Sequence, residues 1–166
     1  MRFAPLALLL LANVGHAEDA PKLMLSFDTL YGVEGPFMGS QNRIRGLAGD
    51  DLPWQVGAVH GVVTTTGHVH IRVEGLVFPN RPPVPFPLRG INDEPYFRAV
   101  VSCLTEGPFG GVRGRNISTQ PFPANADGDS VIDDDIALPE SCVAPIVFIL
   151  PGDEDYWFAV SGAEAD

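Results

Sequence analysis

The stretch Cys142-Val143-Ala144-Pro145-Ile146-Val147-Phe148-Ile149-Leu150 decides the fold. It is the longest apolar run after the amino-terminal leader, and Pro151-Gly152-Asp153-Glu154 stops it. It falls well short of the roughly 20 apolar residues a membrane-spanning helix needs. Its β-branched and aromatic residues fit a strand, and both alternating sets are apolar, so this strand is expected to be covered on both faces. Pro145 has no N–H to give to a ladder. It belongs at the start of the strand, near Cys142, where pairing is interrupted.

The other cysteine, Cys103, lies near the end of a second strand-like run, Tyr96 to Thr105. Two cysteines in an exported chain are most simply one disulfide, Cys103 to Cys142, with a pair of buried free thiols as the alternative. Closing a loop of about 40 residues contributes roughly 3 to 4 kcal/mol in the chain-entropy picture. Around this pair, 18 glycines and 16 prolines break every helical period and leave short runs bounded by turn residues. The runs are Lys22 to Leu30, Arg43 to Leu47, Trp54 to Thr65, His68 to Phe78, Tyr96 to Thr105, Val112 to Thr119, Val131 to Leu138, Val143 to Leu150 and Tyr156 to Ser161. That pattern predicts an all-β fold, a single antiparallel β-sandwich of about nine short strands with one disulfide. Pro79 to Pro95 reads as a long proline-rich loop lying on the surface.

Met1-Arg2-Phe3, the apolar run Leu6 to Leu11 and the small-x-small site Gly15-His16-Ala17 read as a signal peptide over residues 1–17. A single β-sandwich domain over 18–166 follows, secreted or periplasmic, with no membrane span. The formal net charge of −11 becomes one unit more negative once Arg2 is lost. Such an acidic chain repels nucleic acid and anionic lipid, which argues against both as partners.

Several groups carry possible chemistry. Asn125, Asp127, Asp129 and Asp133 place side-chain oxygens on a turning backbone, an arrangement that can hold calcium. The EF-hand pattern fails at its sixth and twelfth positions, here Ser130 and Ile136, and the plain reading is an acidic hairpin turn bent at Asp127-Gly128. On His68 to Phe78, Val69, Ile71 and Val73 alternate with His68, His70, Arg72 and Glu74, so one side of this sheet is wet. A two-residue turn at Thr66-Gly67 sets His60 on the opposite face from His68 and His70. A three-residue turn would bring it to their face, but too far along the strand for one metal. Asp134 falls among apolar neighbours, either paired with Arg98 or reaching water near a strand end. Trp54, Trp157, Tyr156, Phe86 and Phe109 offer an aromatic binding surface, with core packing as the plain reading for most of them. No Gly-x-Ser-x-Gly elbow is present.

Ile44-Arg45-Gly46-Leu47 with Leu52-Pro53-Trp54, Phe97 to Cys103, Pro121 to Ala124, Cys142 to Phe148 and Trp157-Phe158-Ala159 together resemble a set of exported bacterial proteins, mainly actinobacterial, of no assigned function. The resemblance implies a paired-cysteine β-domain and brings no catalytic residue with it. The expected role is an exported binding or structural module of unknown ligand. The alternative is an extracellular hydrolase acting on polymers. A hydrolase should show perturbed carboxylates in a cleft, and a module should show a flat or aromatic-rimmed patch.

Overall fold

The computed structural model describes residues 20–162, so the expected signal peptide lies outside the described residues. In chain order the strands are β1 (Leu23–Phe27), β2 (Leu30–Gly32), β3 (Ala48–Gly49), β4 (Ala58–Thr64), β5 (His68–Glu74), β6 (Tyr96–Glu106), β7 (Val112–Ser118), β8 (Phe122–Pro123), β9 (Ser130–Asp135), β10 (Val143–Pro151), β11 (Tyr156–Trp157) and β12 (Ala159–Ser161). Two antiparallel sheets make the sandwich, one ordered β1-β4-β5-β9 and the other β2-β12-β10-β6-β7, with β8 also on β6. A short parallel pair, β3 with β11, completes the fold. Eight of the nine expected runs hold strands. The other four of the twelve (β2, β3, β8 and the extra piece made where the last run splits into β11 and β12) are two- or three-residue pieces, too short to leave a periodic signal. Among the described residues, no helix is long and apolar enough to cross a membrane.

β10 is the spine of the larger sheet, paired to β6 on one side and β12 on the other. Val147, Phe148, Ile149 and Leu150 are all fully buried, as a strand apolar on both faces requires. Val147 and Ile149 sit opposite Val101 and Ala99, and this face packs with Val63, Val69, Ile71, Val73 and Ile132 of the smaller sheet in one core. Phe148 sits opposite Val100, on the face that also carries Ser102 and Asn116. That face is roofed by the segment after β2: the Asn116 amide donates to the Arg45 carbonyl, and the Trp157 ring lies 6.0 Å from Phe148.

Cys103 and Cys142 are bonded, joining β6 to the start of β10. The ladder between these strands slips by one residue between Val143 and Ile146, a bulge that holds Ala144 in the left-handed region (φ 45°) with Pro145 after it. The Arg45 guanidinium donates to the Ala144 carbonyl at 2.9 Å and steadies the bulge.

Two local expectations are corrected. Arg43 to Leu47 is no strand: Arg45 (φ 52°) and Gly46 (φ 85°) make a two-residue turn closed by mutual backbone bonds between Ile44 and Leu47. The β4–β5 connection is three residues, Thr65-Thr66-Gly67, because Val63 pairs with Val69 and Val62 with His70. Gly67 is left-handed (φ 92°), as the last residue of such a loop demands.

Candidate functional site

A cavity runs along β2, one edge of the larger sheet. It is an open cleft of about 760 Å³. Leu30, Val160 and Trp157 lie at its base, Tyr31 and residues 34–38 make one wall, residues 53–56 the other, and Arg81 and Pro83 lie at its rim. The walls stand where they do because β2 meets the backbone of residues 53–55 directly. Trp54 donates its N–H to the Val33 carbonyl, and a Cβ on Gly32 would lie 2.0 Å from the Trp54 oxygen. Only glycine allows that approach.

Trp54 and Trp157 are core residues that show one surface to the cleft. Trp54 stacks on Phe158 with centroids 3.9 Å apart, and its indole N–H donates to the Asp50 carboxylate. The Nε1 of Trp157 is buried without an acceptor. Above them Tyr31 and Phe37 are 51% and 44% exposed, a large apolar area left in water. Arg81 and Glu34 form an exposed ion pair at 3.0 Å on the rim. The result is an aromatic-lined groove with a charged lip, a shape suited to an amphipathic ligand.

The expected aromatic set is thus divided. Trp54 and Trp157 lie beneath the cleft, Tyr156 is half-buried beside them, and Phe86 and Phe109 project elsewhere into solvent. Sequence reasoning missed Tyr31 and Phe37. Tyr31 belongs to a three-residue strand and Phe37 to a single 3-10 turn, neither of which has a period to read.

The four residues expected to hold calcium do not converge as a set. Asn125 and Asp129 meet: the Asn125 amide donates to Asp129 Oδ2, and the Asp129 N–H donates to Asn125 Oδ1. Asp129 Oδ1 takes the Gly75 N–H, and these bonds hold its carboxyl below the usual range. Asp127 is exposed in the turn, whereas Asp133 faces outward from β9. Four residues of extended chain separate Asp129 from Asp133, about 13 Å at strand rise. Two aspartates cannot reach one ion across that gap.

Asp133 instead lies opposite His70, and Asp135 opposite His68. His70 Nδ1 is 3.3 Å from Asp133, and His68 Nδ1 is 3.0 Å from Asp135. With the three-residue loop, His60 shares this outer face, against expectation, and pairs with Asp28 at 2.6 Å. Among the described residues, no group of three or more His, Cys, Asp or Glu side chains is placed to hold a metal.

Asp134 and Arg98 do not meet. Asp134 accepts the Gln120 N–H, and Arg98 binds Asp155, Ser118 and the carbonyls of Pro151 and Glu154. At this end of the molecule Asp50 and Glu94 both titrate above their ordinary values. Burial is the main cause for each, opposed at Asp50 by three hydrogen bonds and reinforced at Glu94 by the nearby Asp93, Asp153 and Glu154. The Tyr156 hydroxyl is pushed up as well, chiefly by burial. Asp50 is committed to its own turn, accepting from Trp54 and from the Asp51 and Leu52 N–H groups. Glu94 lines a smaller hollow with Tyr96 and Asp153.

No family model, curated protein or solved structure matches this chain. Function must therefore be argued from the cleft and its surroundings.

Proposed function

We propose that this chain is an exported binding module, and that the aromatic cleft along β2 is where it takes its ligand. The observation that carries the reading is the exposure of Tyr31 and Phe37 over a groove floored by Trp157. Exposed aromatic area is unfavourable in water unless a partner covers it. The ligand has a flat apolar face for Tyr31 and Phe37 and a polar or charged end for Arg81 and Glu34. Export is supported by the leader, by the disulfide, which persists in oxidising compartments, and by the resemblance of the cysteine blocks to exported bacterial proteins.

A second reading, a hydrolase of extracellular polymers, is favoured by the raised carboxyl of Glu94 in its hollow. One experiment separates the two. Both tryptophans lie at the cleft, so intrinsic fluorescence reports its occupancy directly. Titration with soluble cell-wall polymers and extended peptides is expected to shift the emission, and Tyr31→Ala with Phe37→Ala should abolish the shift while the polymer stays intact. Shortened polymer that disappears with Glu94→Gln would assign the hydrolase instead. An emission shift that survives both aromatic substitutions would overturn the cleft as the site.

A further inference from the structure

The opposite edge of the same sheet has a different character. β7 is the last strand of the larger sheet, and Val112 to Asn116 are all exposed. Its backbone is polarised in a readable way. The Thr119 N–H donates to the Ala99 carbonyl, so Ala99, Val101, Cys103 and Thr105 of β6 direct their backbone groups toward β7. Their partners are Ile117, Arg115 and Arg113, whose backbone groups point inward. By alternation the N–H and C=O groups of Val112, Gly114 and Asn116 point outward along an edge that is free among the described residues.

Charge singles out the same strand. Arg72, Arg81 and Arg98 are paired with Glu74, Glu34 and Asp155. Arg43, Arg45 and Arg89 donate to backbone carbonyls. Among the described residues, Arg113 and Arg115 alone of the arginines have neither kind of partner, in a chain of net charge −11. They are two apart, so they share one face of β7. The hairpin leading into β7 carries Phe109 at its tip, 99% exposed, and Val112, 74% exposed.

We infer that the free edge of β7 docks an extended acidic peptide, which adds a strand to the sheet. Gly114 and Asn116 supply main-chain hydrogen bonds, Arg113 and Arg115 meet carboxylates two residues apart on the incoming strand, and Phe109 and Val112 cover an apolar residue at its end. Self-pairing of two copies through this edge is disfavoured, because antiparallel registers centred on the strand set arginine against or beside arginine. Two other edges are less open: Gln120 and Pro123 bond alongside β9, and residues 53–55 lie against β2. Because this edge lies across the sheet from the aromatic cleft, its failure as a site would leave the cleft proposal intact.

The probe is a short synthetic peptide alternating glutamate and valine, followed by fluorescence anisotropy and by hydrogen exchange of the full chain. Binding is expected to weaken with salt, because exposed charges are screened. It should slow exchange at the Gly114 and Asn116 amides. Arg113→Glu with Arg115→Glu should weaken it at least about ten-fold. Gly114→Pro removes an outward N–H without touching the β6 ladder, and should cost a comparable loss although the charge is unchanged. Thermal melts of each variant confirm that the fold persists. Strand addition is overturned if Gly114→Pro binds as the parent does, or if a glutamate–glycine peptide, equally charged but a poor strand former, binds equally well. Binding of anionic phospholipid vesicles through Phe109 without peptide binding would assign a membrane surface instead and sink the proposal. So would a dimer that Gly114→Pro dissolves.

Discussion

A few single residues hold positions that nothing else can fill. Gly32 is the sharpest case: a methyl there meets the Trp54 carbonyl, so Gly32→Ala must push β2 away from residues 53–55. We expect a loss of about 2 kcal/mol, the usual scale for overpacking, read from the urea midpoint, together with altered tryptophan emission from the widened cleft. Arg98 is the second case. Its bonds to two carbonyls, Ser118 and Asp155 make Arg98→Ala costly, about 2 kcal/mol for charged hydrogen bonds lost at a half-buried site. The same substitution should be additive with Asp134→Asn, since the two side chains do not interact. Glu94 gives a signed pH effect. Burial raises its folded-state carboxyl above the ordinary glutamate value, so the folded chain holds that proton more tightly than the unfolded one. Stability from this group is fullest below the unfolded value and is lost as pH rises through the folded value. Glu94→Gln should therefore melt at a higher temperature than the parent at neutral pH and converge with it near pH 4. None of these partners could be read from sequence, because Trp54 and Glu154 reach Gly32 and Arg98 through the fold, and desolvation is a property of the packed neighbourhood.

Strands carry the next level of argument. The run from Val143 was legible in the bond from Cys142 to Cys103 and the ladder break at Pro145, and its burial on both faces holds from Val147 onward, whereas Val143 and Ala144 are exposed before the bulge. Each of these follows from local chemistry: apolar content, thiol count, and a residue without an N–H. Replacing both cysteines by alanine should lower stability by about 4 kcal/mol if the chain-entropy account holds for this loop. Denaturation with and without reductant checks it, and only the parent should respond to reductant. The hairpin of β4 and β5 was legible in its alternation and its glycine but misread in its length. Thr65-Thr66-Gly67 and Thr66-Gly67 differ by one residue, and one residue inverts which face His60 occupies. The choice depends on Gly67 lying against the Ile136 backbone, a contact from beyond β9.

At the scale of the whole molecule, the two sheets share one core, and the two edges of the larger sheet differ in character, an aromatic cleft along β2 and an exposed, arginine-bearing strand at β7. Hydrogen exchange should rank accordingly, with the amides of β10 and central β6 slowest and the outward amides of β7 fastest. Equal protection across β7 and β10 would contradict the free edge. The sequence alone determined the all-β class, the central doubly covered strand, the disulfide and the wet face of β5. These rest on periodicity, turn residues and composition, which act within a few residues of chain. Tertiary structure alone decided the cleft, assembled from residues 30–32, 34–38 and 53–56 with Ile44, Arg81, Pro83, Trp157 and Val160, and the separation of Asp133 from Asn125 and Asp129. It also decided which arginines go unpaired. Such features depend on which distant backbones come into contact, and loop closure and burial set those contacts only once the sheets have packed.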